Sequence, residues 1–95
     1  MTETTADMRA LVAQIARALV DEPEQVEVDE FDDQGETVLE LKVAPNDVGK
    51  VIGKQGRTVR SMRAIVSAAA VKMHKRYALE IVEEDEEEDQ GTGNR

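Results

Sequence analysis

The 95-residue chain contains no cysteine and no tryptophan, and its aromatic residues are one phenylalanine, Phe31, and one tyrosine, Tyr77. Without cysteine there is no disulfide framework and no thiolate metal site. One histidine, His74, has neither a second histidine nor a cysteine with which to build a metal centre. No apolar run approaches membrane-spanning length. The segment from Met1 to Asp7 is polar and acidic, so it is not a secretory signal. These absences point to a cytoplasmic chain with no bound metal, no cofactor and no membrane. They leave one small domain with a modest core. No nucleophile–base pair is apparent either, and no internal repeat.

Acidic residues are abundant, with 21 Asp and Glu against 12 Lys and Arg and a net charge of −9. Their distribution matters more than the total. Residues 1–46 carry three cations and twelve acids. Residues 47–79 carry eight cations and one acid, Asp47. Residues 80–95 carry one cation and eight acids. A basic block set between two acidic ones is either a solvated helix face or the electrostatic footprint of a phosphate-binding surface.

Met8, Leu11, Val12, Ile15 and Leu19 recur at helical spacing, and Thr4 or Thr5 is placed to cap that helix. It should end near Val20, before Asp21-Glu22-Pro23. Val26 and Val28 alternate with acids, and Leu39, Leu41 and Val43 do the same, which predicts strands over 24–31 and 36–43. Asp32-Asp33-Gln34-Gly35 between them is turn chemistry and makes the pair a hairpin. Glu27, Asp29, Glu36 and Glu40 read as the solvated face of a sheet covered on one side, not as catalytic carboxylates. A short helix, capped by Asn46, should run to about Ile52. A long helix follows from Arg57 or Thr58 to about Tyr77, with Val59, Met62, Val66, Ala69, Met73 and Tyr77 along one stripe. Lys72, Lys75 and Arg76 then fall in its last turns, where cations suit the helix dipole. A last strand is predicted over 78–83. The seven consecutive acids Glu83 to Asp89, with the polar residues to Arg95, cannot bury a core and should be disordered. Such a tail either points into water or competes for the basic face. The domain is therefore expected over 6–83, with 1–5 and 84–95 as disordered ends.

The basic block opens with Val48-Gly49-Lys50-Val51-Ile52-Gly53-Lys54-Gln55-Gly56-Arg57. Gly53 and Gly56 bracket two polar residues and let the backbone turn sharply, with no Cβ in the way of an approaching phosphate. The start of the next helix offers free N–H groups and a partial positive charge. Lys54, Arg57 and Arg60 add full charges, and Arg63 shares their side of the helix. Other phosphate motifs fit poorly. Gly49 to Lys54 is one residue short of a P-loop, with Gln55 where the Ser or Thr belongs, and no G-x-G-x-x-G is present.

A G-x-x-G loop between two helices is the signature of KH domains, which clamp about four nucleotides. The stretch VIGKQGRTVRSMRAIVSAAA resembles the small bacterial single-KH-domain RNA-binding proteins of the KhpA family, over roughly residues 6–83. That resemblance implies an α+β fold, the type II KH domain. Its order is α-β-β-α-α-β, with a three-stranded mixed sheet and three helices on one face. The strand at 36–43 would be central, antiparallel to 24–31 and parallel to 78–83. It implies a binder of single-stranded RNA rather than an enzyme, acting as a post-transcriptional regulator or RNA chaperone. Gly53, Lys54, Gln55, Gly56, Arg57 and Arg60 would grip the backbone. Val48, Val51, Ile52 and Val59 would line an apolar groove for bases, with Leu41 or Val43 beneath. The scarcity of aromatics argues against the stacking platforms of RRM and OB domains. Members of the family are also associated with homodimers and with heterodimers formed with a larger KH-containing protein. Ile65 and Ala68 on the long helix either serve such a surface or pack against the first helix.

Overall fold

In the computed structural model, which describes residues 7–83, the apolar spacing near the N-terminus becomes α1, Met8–Leu19. Its cap is Asp7, whose carboxylate accepts the backbone N–H groups of Arg9 and Ala10 at 3.1 and 3.4 Å. Thr4 and Thr5, the expected caps, lie outside the described residues, as do the two ends expected to be disordered. The buried face of α1 is Met8, Val12, Ala13 and Ala16. Leu11 and Ile15 are only half-buried and Leu19 is exposed. The face is thus rotated toward small alanines, which let the helix approach the sheet closely.

Pro23–Gln25 forms a single 3₁₀ turn, so the first strand starts later than predicted: β1 is Glu27–Asp33 and β2 is Glu36–Lys42. Asp32 and Asp33 belong to β1, and only Gln34 and Gly35 make the turn. Both have positive φ, 54° and 87°. Two such residues give the tight turn whose twist matches that of paired strands. β1 pairs antiparallel with β2 from Glu27↔Lys42 to Asp33↔Glu36. The third strand, β3 (Tyr77–Ile81), lies parallel on the other side of β2, from Thr37↔Tyr77 to Leu41↔Ile81. The order is β1-β2-β3.

The parallel pairing requires a crossover, and two helices supply it: α2, Val48–Ile52, and α3, Arg57–Met73. Leu39 and Leu41 on β2 are fully buried beneath α1, α2 and α3, together with Val12, Val51, Met62, Val66 and Leu79. The opposite face carries Glu27, Asp29 and Phe31 on β1 against Lys42, Glu40 and Val38 on β2. Phe31 remains half exposed there. The chain is thus α+β, with the helices on one face of a three-stranded mixed sheet.

Two helix ends differ from expectation. α3 stops at Met73, four residues before Tyr77, because His74 takes a left-handed conformation (φ 59°, ψ 42°). The end is closed by bonds from the N–H of His74 to Val71 O, 3.1 Å, and from the N–H of Lys75 to Ala70 O, 3.0 Å. Lys75 and Arg76 are therefore connector residues, and of the three basic residues expected in the last turns only Lys72 is helical. Asn46 lies inside a 3₁₀ turn, Pro45–Asp47, and makes no capping bond to α2.

Candidate nucleic-acid interface

α2 is only five residues long because Gly53 ends it. The Gly53 N–H closes the helix on Gly49 O at 2.9 Å, and its backbone then adopts φ 81°, ψ 170°. That conformation belongs almost solely to glycine. Space is also lacking: a Cβ at Gly53 would overlap the Thr58 side chain and stand 2.8 Å from the Thr58 nitrogen. Lys54–Gly56 makes one 3₁₀ turn, closed by Gly56 N–H to Gly53 O at 3.0 Å. Gln55 (φ 55°, ψ 27°) and Gly56 (φ 73°, ψ 14°) are both left-handed. The chain then enters α3 at Arg57, and no side chain caps that helix. The Arg57 N–H closes on Lys54 O, and the amides that follow carry the partial positive charge of a helix start.

Lys54 and Gln55 are exposed at the tip. Two arginines from the first turn of α3 reach back to Gln55. Arg57 donates to its side-chain Oε1 and Arg60 to its backbone carbonyl, each at 3.2 Å. These bonds steady a residue that a left-handed backbone strains. Among the described residues no carboxylate pairs with Lys54, Arg57 or Arg60.

The neighbouring cations are differently placed. Lys50 Nζ lies 3.4 Å from Asp21 Oδ2 and 3.5 Å from Asp47 Oδ1. The hydrogen bond to Asp21 and its charge raise the Lys50 pKa above the ordinary 10.5, with Asp47 adding to the effect against partial burial. Arg63 turns to the sheet, where its Nε donates to Leu79 O on β3 at 3.1 Å.

The apolar residues beside the loop divide in two. Val51 is buried in the core with Leu41 and Val43, whereas Val59 is buried outside that cluster. Val48 and Ile52 are half-buried and present apolar surface next to the loop.

Sequence reasoning missed Asp47. It is 1% exposed, the only charged residue among the described buried ones. Its Oδ1 accepts the N–H of Asp21 at 3.2 Å and its Oδ2 the N–H of Glu22 at 3.0 Å. Burial alone would raise its pKa. The two backbone donors and Lys50 outweigh burial and hold it below the ordinary 3.8. Asp47 thus fastens the exit of α1 to the entry of α2, and so fixes the platform from which the loop projects. Its one legible signal was being the sole acid in the basic block.

Among the described residues no helix is long and apolar enough to cross a membrane, and no three His, Cys, Asp or Glu side chains are grouped to hold a metal.

The chain is 51% identical over 75 residues to the RNA-binding protein KhpA of Clostridium acetobutylicum, covering 79% of this chain and 100% of that protein. It is 53% identical to the protein of the same name from Caldanaerobacter subterraneus, again over 79% and 100%. Against the KhpA of Aquifex aeolicus it is 43% identical, over 80% of this chain and 96% of that one. Among solved structures, that of Aquifex aeolicus Era is similar in fold, with a TM-score of 0.50 and 21% identity over 82% of this chain and 31% of that one. A family model described as the KhpA/KhpB KH domain matches residues 9–81. The chain belongs to the KhpA/KhpB family of KH domains.

Proposed function

We propose that the chain binds single-stranded RNA without chemistry, gripping about four nucleotides of backbone at Gly53–Gly56. One observation carries the reading: a loop with three left-handed or glycine-only conformations in four residues opens directly onto a helix that no side chain caps, and its nearest cations have no acidic partner among the described residues. Lys54, Arg57 and Arg60 neutralise phosphates there. Gln55, exposed beside them, contributes polar contacts. Val48 and Ile52 offer the surface on which bases rest, and Val51 and Val59 support it from within. The relatives' name, RNA-binding protein, favours the same reading. The role that fits is post-transcriptional regulation or RNA chaperoning in the cytoplasm, with no catalysis and no cofactor.

The test is the double substitution Lys54→Asp, Gln55→Asp. Both side chains are exposed, and Asp tolerates the left-handed backbone at position 55 better than most residues. The fold should be retained, as read by circular dichroism and thermal melting. Affinity for a short unstructured RNA should fall at least about tenfold, because attraction is replaced by repulsion. A folded variant with unchanged affinity would refute the assignment.

A second role is favoured by the outer side of α3. Val71 is 75% exposed and Ile65 46% exposed, with Ala68 exposed between them. α1 therefore does not cover them, contrary to the packing alternative. We propose this side as a surface for a homodimer or a heterodimer with a larger KH-containing protein. Ile65→Glu with Val71→Glu should lower the mass measured at high concentration to that of a monomer.

A further inference from the structure

We propose that the acidic run beginning at Glu83 occupies the basic loop of its own chain and competes there with RNA. This rests on the RNA-binding reading and adds a regulator to the same site. The position of Glu83 carries it. α3 and β3 are joined at one end by only three residues, His74 to Arg76, so they run back along each other. The bond from Arg63 Nε to Leu79 O, 3.1 Å, fixes their alignment part-way along. From Arg63 the helix leads back to Arg57 in about 9 Å, at 1.5 Å per residue. From Leu79 the strand leads on to Glu83 in about 13 Å, at 3.3 Å per residue. The ladder persists beyond β3, since Val82 N–H bonds Leu41 O at 2.9 Å. The chain therefore leaves the sheet roughly level with the glycine loop, at the same end of the molecule.

What leaves there is Glu83 to Asp89, seven carboxylates without interruption, followed by six further residues. Seven extended residues can reach about 23 Å. Lys54, Arg57 and Arg60 offer charges that no described carboxylate neutralises. Lys50 is already held by Asp21 and Asp47 and does not compete for the run. Tethering sets the local concentration of the run near the loop on the order of millimolar. Each contact is weak and screened by salt, so the tail modulates RNA binding without abolishing it.

The experiment compares the full chain with one ending at Glu83, and with a full-length variant whose acids at 84–89 are replaced by Gln and Asn. Binding of a short fluorescent RNA is measured at about 20 mM and about 300 mM salt, conditions that lengthen or shorten charge screening. Both variants should bind about threefold or more tightly than the full chain at low salt. The ratio should approach one at high salt. Equal affinities at low salt would overturn the competition. Without RNA, the backbone amide resonances of Lys54 to Arg60 should differ between the full and shortened chains at low salt and converge at high salt. Identical resonances would overturn the contact itself. Absence of RNA binding by all three proteins, with shifted amides, would instead refute the RNA reading while leaving the contact intact.

Discussion

The carboxylate of Asp47 accepts the backbone N–H of Glu22 at 3.0 Å, across 25 positions of chain. With the second bond from the N–H of Asp21 it satisfies two backbone donors of the loop that follows α1, and Lys50 pairs with the same carboxylate. A buried carboxylate is tolerable when hydrogen bonds and a charge replace lost water. Here the arrangement joins the two segments on which the loop depends.

The first prediction follows from the sign of that linkage. The Asp47 pKa is lowered in the folded chain. Its contribution to stability is therefore complete above the ordinary value of 3.8, and is lost as pH falls from there through the folded value. Other carboxylates titrate nearby, so the comparison is with Asp47→Asn. The variant should melt several degrees lower at pH 7, and the gap between the two proteins should narrow below about pH 4. Differential scanning calorimetry from pH 7 to pH 3 reads this. A gap that is constant across the range would contradict the proposed role of the ionised group.

Asp47 also shows where the sequence is mute. Its partners are backbone N–H groups, which every residue has, so no residue type elsewhere in the chain announces the pairing. The glycine loop is legible for the opposite reason: glycine is required by φ at Gly53 and Gly56, and the requirement is written in residue type. The sheet is legible because Leu39 and Leu41 alternate with polar residues and Gln34-Gly35 supports a two-residue turn. The end of α3 is not, since Tyr77 continues the apolar spacing from Met73 while the break comes from a left-handed histidine. Nor could spacing tell that Val51 is interior while Ile52, its neighbour, keeps surface beside the loop. That difference arises from how a five-residue helix is rotated over the sheet.

Lys50 and Lys54 provide the second prediction. Both belong to the basic block, but among the described residues only Lys50 is engaged by acids. Lys54→Gln should therefore weaken RNA binding and reduce the salt slope by about 0.7, the loss of one phosphate contact to a single strand. For a site of about three contacts the starting slope is near −2. Lys50→Gln should leave that slope unchanged. Its effect should appear in stability instead. The raised Lys50 pKa stabilises the fold fully below the ordinary 10.5, and the contribution is lost as pH rises through the folded value. Thermal melts of the wild type and Lys50→Gln should thus converge above about pH 10.5. An equal loss of RNA affinity and slope in both variants would show that Lys50 is free to reach phosphate.

The third prediction separates the two glycines of the loop. Gly56 is left-handed, but a Cβ there would meet nothing closer than an Arg60 nitrogen at 3.5 Å. Gly56→Ala should cost about 1–2 kcal/mol, the backbone penalty of an L-residue in that conformation. Gly53 occupies a region that only glycine populates readily, and its Cβ would stand 2.6 Å from Thr58 Cβ and 2.8 Å from the Thr58 nitrogen. The nitrogen belongs to the helix and cannot swing aside as a side chain can. Gly53→Ala should therefore cost more than Gly56→Ala, by displacing the start of α3. Thr58→Ala would remove the side-chain oxygen that a Cβ at 53 overlaps, yet leave the nitrogen and Cβ in place. It should recover only part of the loss in Gly53→Ala. Urea unfolding of the three single variants and of the Gly53→Ala, Thr58→Ala double variant measures these differences. Equal costs for the two glycine substitutions would mean that φ alone, and not the close approach of Thr58, dictates glycine at position 53.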